Sequence, residues 1–336
     1  MIAHGANTQG WPDSGVLYLS RADVEGLALG MAQVVDAIDA AFRAKGRGAA
    51  VMPPKASLHG EAGAFSQVMA AALPDGLGAK WVCLFPANLR RGLPTLHGLL
   101  VLSDPATGVP QAVMDAAIVT ALRTGASTAL AARYLGRRDT DCIGLLGCGV
   151  QGRSSVRALA AVLPALRTVR CHDLRPEAAA ELASGLRREL PGVEFRACDR
   201  PAQLCEGAGV VVSAITMTEE VAAPLGAGLL EPGTVAVALD YDAAWSSAAM
   251  AECDRFVVDD TAQALATKAA GVRLAGIPAR IHADLGELAA GVKVGRERPD
   301  ERIFCMNLGV AIEDVAVGGL AYRRAVESGR GRSLPL

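Results

Sequence analysis

The chain has 336 residues, 51% apolar and 20% charged, with a formal net charge of −2. That length exceeds one ordinary hydrophobic core, so two domains are expected. Near-neutral charge gives no electrostatic case for nucleic acid or an anionic membrane, and 4% aromatics supply little base-stacking surface.

Residues 1–15 read as a loose leader, without the basic-then-apolar order of a secretion signal. A short strand follows at residues 16–19. Ser20 then caps a helix, with Asp23 as its capping-box partner. Val24, Leu27, Met31, Val34 and Ile38 carry helical periodicity to about Ala44. Met52-Pro-Pro-Lys55 must be extended, because each proline fixes φ and biases its predecessor. Strands are predicted at residues 64–70, 77–85, 97–102 and 109–114, separated by turn residues, in an antiparallel style. A helix over 116–135 follows and carries Arg123 and Thr124.

The next stretch is the most informative. An apolar strand, Cys142-Ile-Gly-Leu-Leu146, breaks into Gly147-x-Gly149-x-x-Gly152 and restarts as a helix over 153–162. A second strand over 166–173 ends in Asp173, about twenty residues beyond the last glycine, which completes the βαβ dinucleotide fingerprint. Gly147 permits the tight turn, Gly149 the close approach of a pyrophosphate, and Gly152 close helix–strand packing. The helix N-terminus then meets the anion. Asp173 suits the ribose hydroxyls and favours NAD. Arg175 suits either stacking on adenine or pairing with a 2′-phosphate, which keeps NADP open. Val150 and Gln151 complete the loop.

Strands at 193–198, 210–215, 234–239 and 255–259, with a helical segment at 201–206, continue the alternation that implies a parallel sheet. Ligands bind at the carboxyl ends of such strands. Thr216 and Asp240 stand at two of them, and the pair Asp259-Asp260 ends a third as either a cleft lining or a solvated turn. After the turn-rich residues 291–296 a last helix is predicted from Asn307 to about Ser328. The fold class is therefore α/β, a Rossmann-type parallel sheet plus an N-terminal β-rich α+β domain.

The eight cysteines are scattered, with no CxxC and no metal-ligand spacing to histidine. They read as reduced, mostly buried groups of a cytoplasmic protein, with Cys148 in the glycine loop as the one whose alkylation would inhibit. His59, His97 and His282 share no ligand spacing, and no metal is expected. No run reaches the roughly 18 apolar residues of a membrane helix.

The run Lys80-Trp-Val-Cys-Leu-Phe-Pro-Ala-Asn88, with Gly92-Leu-Pro94, Gly98, Asp104-Pro-Ala-Thr-Gly108 and Leu122-Arg-Thr-Gly-Ala126, resembles the ornithine cyclodeaminase/mu-crystallin family. Gln151 and the strand-end Asp240 fit the same pattern, over roughly residues 16–330. The resemblance implies a substrate-binding and dimerising domain over 16–120, rejoined by the C-terminal helix at about 307–330. It implies an NAD(P)-binding domain over 121–306 and a homodimer. It also implies hydride chemistry at an amino-acid α-carbon, on a small amino-acid, imino-acid or imine substrate. Lys80 and Arg123 resemble the cations that hold the substrate carboxylate, and Arg123 and Thr124 also face the cofactor. Lys55 stands where cyclodeaminases carry arginine, and lysine lacks the bidentate fork. Asp240 resembles the proton-transferring aspartate, with Asp242 as runner-up. Burial should raise its pKa. Asn307, where many cyclodeaminases read serine, suits either the nicotinamide amide or a helix N-cap. The bland alternatives are an exposed strand lysine at 80, a helix-surface arginine at 123 and a strand-end cap at 240. Three functions follow: an imine reductase or amino-acid dehydrogenase, an ornithine or lysine cyclodeaminase releasing ammonia without net redox, and a non-catalytic cofactor-dependent binding protein.

Overall fold

The computed structural model describes residues 15–61, 63–217, 223–271 and 273–336. The leader expected before Gly15 lies outside the described residues.

The first sheet follows from the proline- and turn-punctuated half of the chain. Strand β1 (Gly15–Leu19) is followed by helices α1 (Arg21–Gly26) and α2 (Met31–Gly46). The hairpin-forming strands are β2 (Ala56–His59), β3 (Phe65–Leu73), β4 (Gly76–Leu84), β5 (Leu96–Ser103) and β6 (Pro110–Asp115). Ser20 caps α1 with Asp23 in the expected box. The predicted single helix is in fact two. Ala28 takes a left-handed φ of 48°, and Gly30 starts α2 afresh. Hydrophobic periodicity misses this break because Val24, Val34 and Ile38 all enter one core.

Helix α3 (Ala116–Leu135) spans the predicted residues, capped by the Asp115 carboxylate. It leads into β7 (Cys142–Leu146), α4 (Val150–Val162), β8 (Thr168–His172), α5 (Pro176–Leu186), β9 (Glu194–Ala197), β10 (Val210–Ser213) and β11 (Val235–Ala238). Then come α6 (Ser247–Ala251), β12 (Arg255–Val258), α7 (Thr261–Ala269), β13 (Ala283–Asp284), α8 (Leu285–Ala289) and β14 (Ile303–Met306). Helix α9 (Ala311–Ser328) and strand β15 (Arg332–Pro335) close the chain.

The first sheet runs β15-β1-β6-β5-β4-β3-β2. It is mixed rather than antiparallel throughout, since β1 pairs parallel to β6. The second runs β13-β12-β14-β11-β10-β7-β8-β9, with every pairing parallel. Its order reverses between β7 and β10, the switch point where open α/β sheets bind ligands. Strands β14 and β15 were not foreseen. The sequence of β14, Ile-Phe-Cys-Met, is too short and too uniformly apolar to declare its period. Asn307 does not begin the last helix either. It follows β14, and Gly309 at φ 79° turns the chain before Val310 caps α9.

Helix α9 returns to pack on β3, β4 and β5. Leu100, Met114, Ile38 and Phe42 are fully buried in the shared core. Each such side chain contributes about 1.5–3 kcal/mol of burial. The packing carries the first turn of α9 beneath the first sheet and beside α3, which decides the chemistry of the cleft.

Candidate active site

The glycine loop is built as its spacing predicts. Gly147 has φ 93°, and a Cβ there would stand 2.5 Å from the Ala214 carbonyl oxygen. A Cβ on Gly152 would collide with the Gly147 carbonyl. Gly149, the N-cap of α4, is different, with open space where its Cβ would be. Two of these glycines therefore serve the fold, and the third keeps the approach to the helix N-terminus clear. Asp173 accepts from the Cys148 amide at 2.8 Å and from the Arg175 amide at 3.0 Å, tying the loop to the end of β8. A cavity of about 460 Å³ opens along Cys148, Gly149, Val150 and Arg175. Thr216 is exposed just beyond β10.

The Thr124 hydroxyl and the Gln151 side-chain oxygen Oε1 are buried, with no hydrogen-bond partner among the described residues. Buried polar atoms are rarely orphaned without a ligand or water to complete them. Together with the open Gly149 and the strand-end Asp173, they fit a dinucleotide. Cys148 is nearly buried and its pKa is raised, through its contact with the Cys171 thiol and burial, so alkylation there should be slow.

The charged residues meet at the other end. Lys80 is fully buried, which removes the exposed-strand alternative. Its Nζ lies 2.7 Å from Asp314 Oδ1 and 3.3 Å from the Thr120 hydroxyl. Burial pushes its pKa down to about 8, with Asp314 opposing. Arg123 is no surface arginine. Its guanidinium reaches Glu313 at 2.9 Å and Asp314 at 3.4 Å, and it fills the space a Cβ on Gly309 would need. Lys55 donates to the Leu308 carbonyl at 2.7 Å and lies 5.3 Å from the centre of the Tyr241 ring. Asn307 donates to the Ser127 hydroxyl of α3 at 3.1 Å.

Asp240 is nearly fully buried beyond β11. It accepts from the Ser213 hydroxyl at 2.7 Å and the Ile215 amide at 2.9 Å. Trp245 donates to Ser213 at 3.0 Å, so the serine proton points to Asp240. Burial pushes the Asp240 pKa up to about 6, against those two donors. Its neighbour Tyr241 adopts a left-handed φ of 57°, strain of the kind that gathers at functional sites. Asp242 instead accepts from the Leu274 amide at 2.9 Å.

Sequence reasoning missed Glu313, Asp314, Ser213 and Trp245. One signal was available for the first two, since they are adjacent acids inside the apolar run Ala-Ile-Glu-Asp-Val-Ala-Val of α9. Acids on an apolar helix face need partners.

Fold and cleft define a Rossmann-type dinucleotide protein with a second sheet that closes charged residues over the switch point. Residues 16–329 match the ornithine cyclodeaminase/mu-crystallin family, and the chain belongs to it. The alanine dehydrogenase of Archaeoglobus fulgidus is 34% identical over 325 residues, covering 95% of this chain and 98% of that protein. The Thermococcus litoralis Delta(1)-pyrroline-2-carboxylate reductase, solved with NADH and L-proline, superposes with a TM-score of 0.84 at 31% identity, over 95% of this chain and 100% of that one. An archaeal alanine dehydrogenase dimer with bound NAD gives 0.82 at 33% identity, over 96% and 99%. The class expected from the sequence, NAD-linked chemistry at C–N bonds, is the class of these relatives.

Proposed function

We propose that the chain is an NAD-dependent enzyme that interconverts a small α-amino acid and its imine. The observation that carries this is the joining of Lys55, Arg123, Gly309 and the Asp240–Tyr241 corner by direct contacts, at the switch point of a sheet whose glycine loop is open for a dinucleotide. A bound nicotinamide supplies or accepts hydride. The protein's own part is to hold and to move a proton.

Lys55, Lys80 and Arg123 hold the substrate carboxylate, and Arg123 contributes the bidentate fork. This fixes Cα and provides the positioning share of the rate. In the reductive direction Asp240 gives a proton to the imine nitrogen, and in the oxidative direction it takes one from the amine. A carboxyl group near 6 suits both tasks close to neutral pH. Gly147, Gly149, Val150, Gln151, Gly152, Asp173, Arg175, Thr124, Thr216 and Asn307 form the cofactor side. Asp173 at the end of β8 favours NAD.

On this reading the chain divides at residues 16–120 with 307–330 and at 121–306, a division supported by the two separate sheets, with β15 adding to the first. The outer face of the first sheet supports a homodimer. Val68, Trp81 and Leu99 are directly paired across β3, β4 and β5, and are 41%, 42% and 48% exposed. An apolar row of this kind fits a second copy. Eight free cysteines fit the reducing cytoplasm. Among the described residues no helix is long and apolar enough to cross a membrane.

The test incubates the protein and NADH with 2-oxo acids plus ammonium and with cyclic imino acids. Loss of the nicotinamide absorbance is expected. Ammonia release from L-ornithine or L-lysine without absorbance change would replace the redox reading with cyclodeamination.

A further inference from the structure

The adjacent acids Asp259 and Asp260 stand at the carboxyl end of β12, beside the carboxyl end of its partner β14. Neither is a solvated turn, since Asp259 is fully buried and Asp260 nearly so. Asp259 spends both oxygens on main-chain amides, accepting from Asp260 at 2.8 Å and from Gly309 at 2.6 Å. The second bond fixes Gly309 in its left-handed turn. That turn presents the Leu308 and Gly309 carbonyls to the Lys55 ammonium at 2.7 and 3.4 Å. The same glycine leaves the room that the Arg123 guanidinium fills.

Asp260 works on the other side of Lys55. Its carboxylate caps α7 through the Gln263 amide. The Gln263 side chain then accepts from the Lys55 main-chain amide at 2.8 Å. Lys45 of α2 holds Asp260 at 2.9 Å and Asp284 at 2.7 Å, which locks this arm to the first half of the chain.

We propose that Asp259 and Asp260 are positioning residues for carboxylate recognition, Asp259 seating the Lys55 ammonium and the Arg123 fork through Gly309, and Asp260 seating the Lys55 main chain through Gln263. The inference rests on the functional reading above, in which Lys55 and Arg123 bind the substrate carboxylate. It explains how lysine serves at position 55. A flexible four-carbon stem gains a fixed endpoint from two carbonyls and a fixed root from Gln263, whereas an arginine fork brings its own geometry.

Two variants test it, Asp259→Asn and Gln263→Leu. The asparagine keeps the shape of Asp259 but offers one acceptor where two amides need one each. Two readouts run in parallel. The first is kinetic, with NADH and whichever imino acid the parent turns over. The KM for the imino acid should rise about tenfold, with kcat and the NADH dissociation constant held within about threefold. The second is independent of turnover: acetic anhydride labelling of Lys55, read by mass spectrometry against the exposed Lys293. Labelling of Lys55 should rise several-fold in both variants. Unchanged labelling together with unchanged KM overturns the proposal. So does an NADH affinity that falls as far as the substrate's, which marks general loosening. If Asp259→Asn does not fold, Gln263→Leu decides. If the parent turns over no imino acid, the functional reading fails while the labelling still decides whether Lys55 is held this way.

Discussion

The two ends of the cleft are built by opposite means. The dinucleotide end leans on main chain, with three glycines, a helix N-terminus and one strand-end acid within residues 147–173, and adds a few side chains such as Thr124 of α3. The proposed substrate end uses side chains carried by elements far apart in sequence, with Lys55 and Asp240 on loops, Lys80 on β4, Arg123 on α3 and Asp314 on α9. A site made of main chain tolerates many side-chain changes but no extra Cβ at its closest points. A site made of buried charges fails when any one partner is removed, because the other charge is left unpaired in a poor solvent for it. On the proposed function, the first end serves any substrate and specificity resides in the second.

The sharpest break should come at the substrate end. Asp240→Asn should lower turnover about a hundredfold to ten-thousandfold, the usual range for a lost proton-transfer group, while NADH still binds. Stopped-flow turnover and cofactor fluorescence check the two halves. Lys80→Met should be nearly as severe for a different reason. It takes the 2.7 Å ammonium from buried Asp314, leaving it only Arg123 Nε at 3.4 Å, and should cost about 3 kcal/mol of stability, measurable by urea unfolding. Adding Asp314→Leu should recover much of that stability, since a buried ion pair replaced whole by apolar groups is often neutral. Carboxylate binding should not return with it.

The dinucleotide end should separate fold from ligand. Gly149→Ala places a methyl in open space, so unfolding should be unchanged while NADH affinity falls about tenfold, or roughly 1.4 kcal/mol. Gly152→Ala should instead disturb the loop itself. The pH profile gives a gentler test. With Asp240 raised to about 6, its protonated form survives to that pH rather than being lost near the ordinary carboxyl value of 3.8. The rate of imine reduction should therefore be level below about pH 6 and fall above it, and amine oxidation should rise through the same interval. Smallest of all, iodoacetamide should inhibit slowly, because Cys148 is nearly buried and its thiolate is disfavoured.

The contrast also explains what could be read in advance. The glycine spacing, Asp173 and the span of α3 were legible because local sequence alone dictates them. Asp240 was singled out by its strand-end place, while Lys80 and Arg123 and the roles proposed for all three came from family resemblance, since no periodicity marks a lysine as buried. Glu313 and Asp314 escaped because they matter only once α9 folds back under the first sheet, a long-range event. The break between α1 and α2 escaped because both helices feed one core. The start of the last helix was misplaced at Asn307 because β14, which precedes it, carries no strand period of its own.

The most direct measurement follows NADH absorbance and ammonia together, with the parent chain and Asp240→Asn, over a panel of 2-oxo acids with ammonium and cyclic imino acids. The parent should consume NADH with at least one carboxylate-bearing imine, and the variant should bind NADH yet leave it unconsumed. A variant as active as the parent, or a parent that binds NADH and reduces nothing in the panel, would contradict an imine-reducing site built around Asp240.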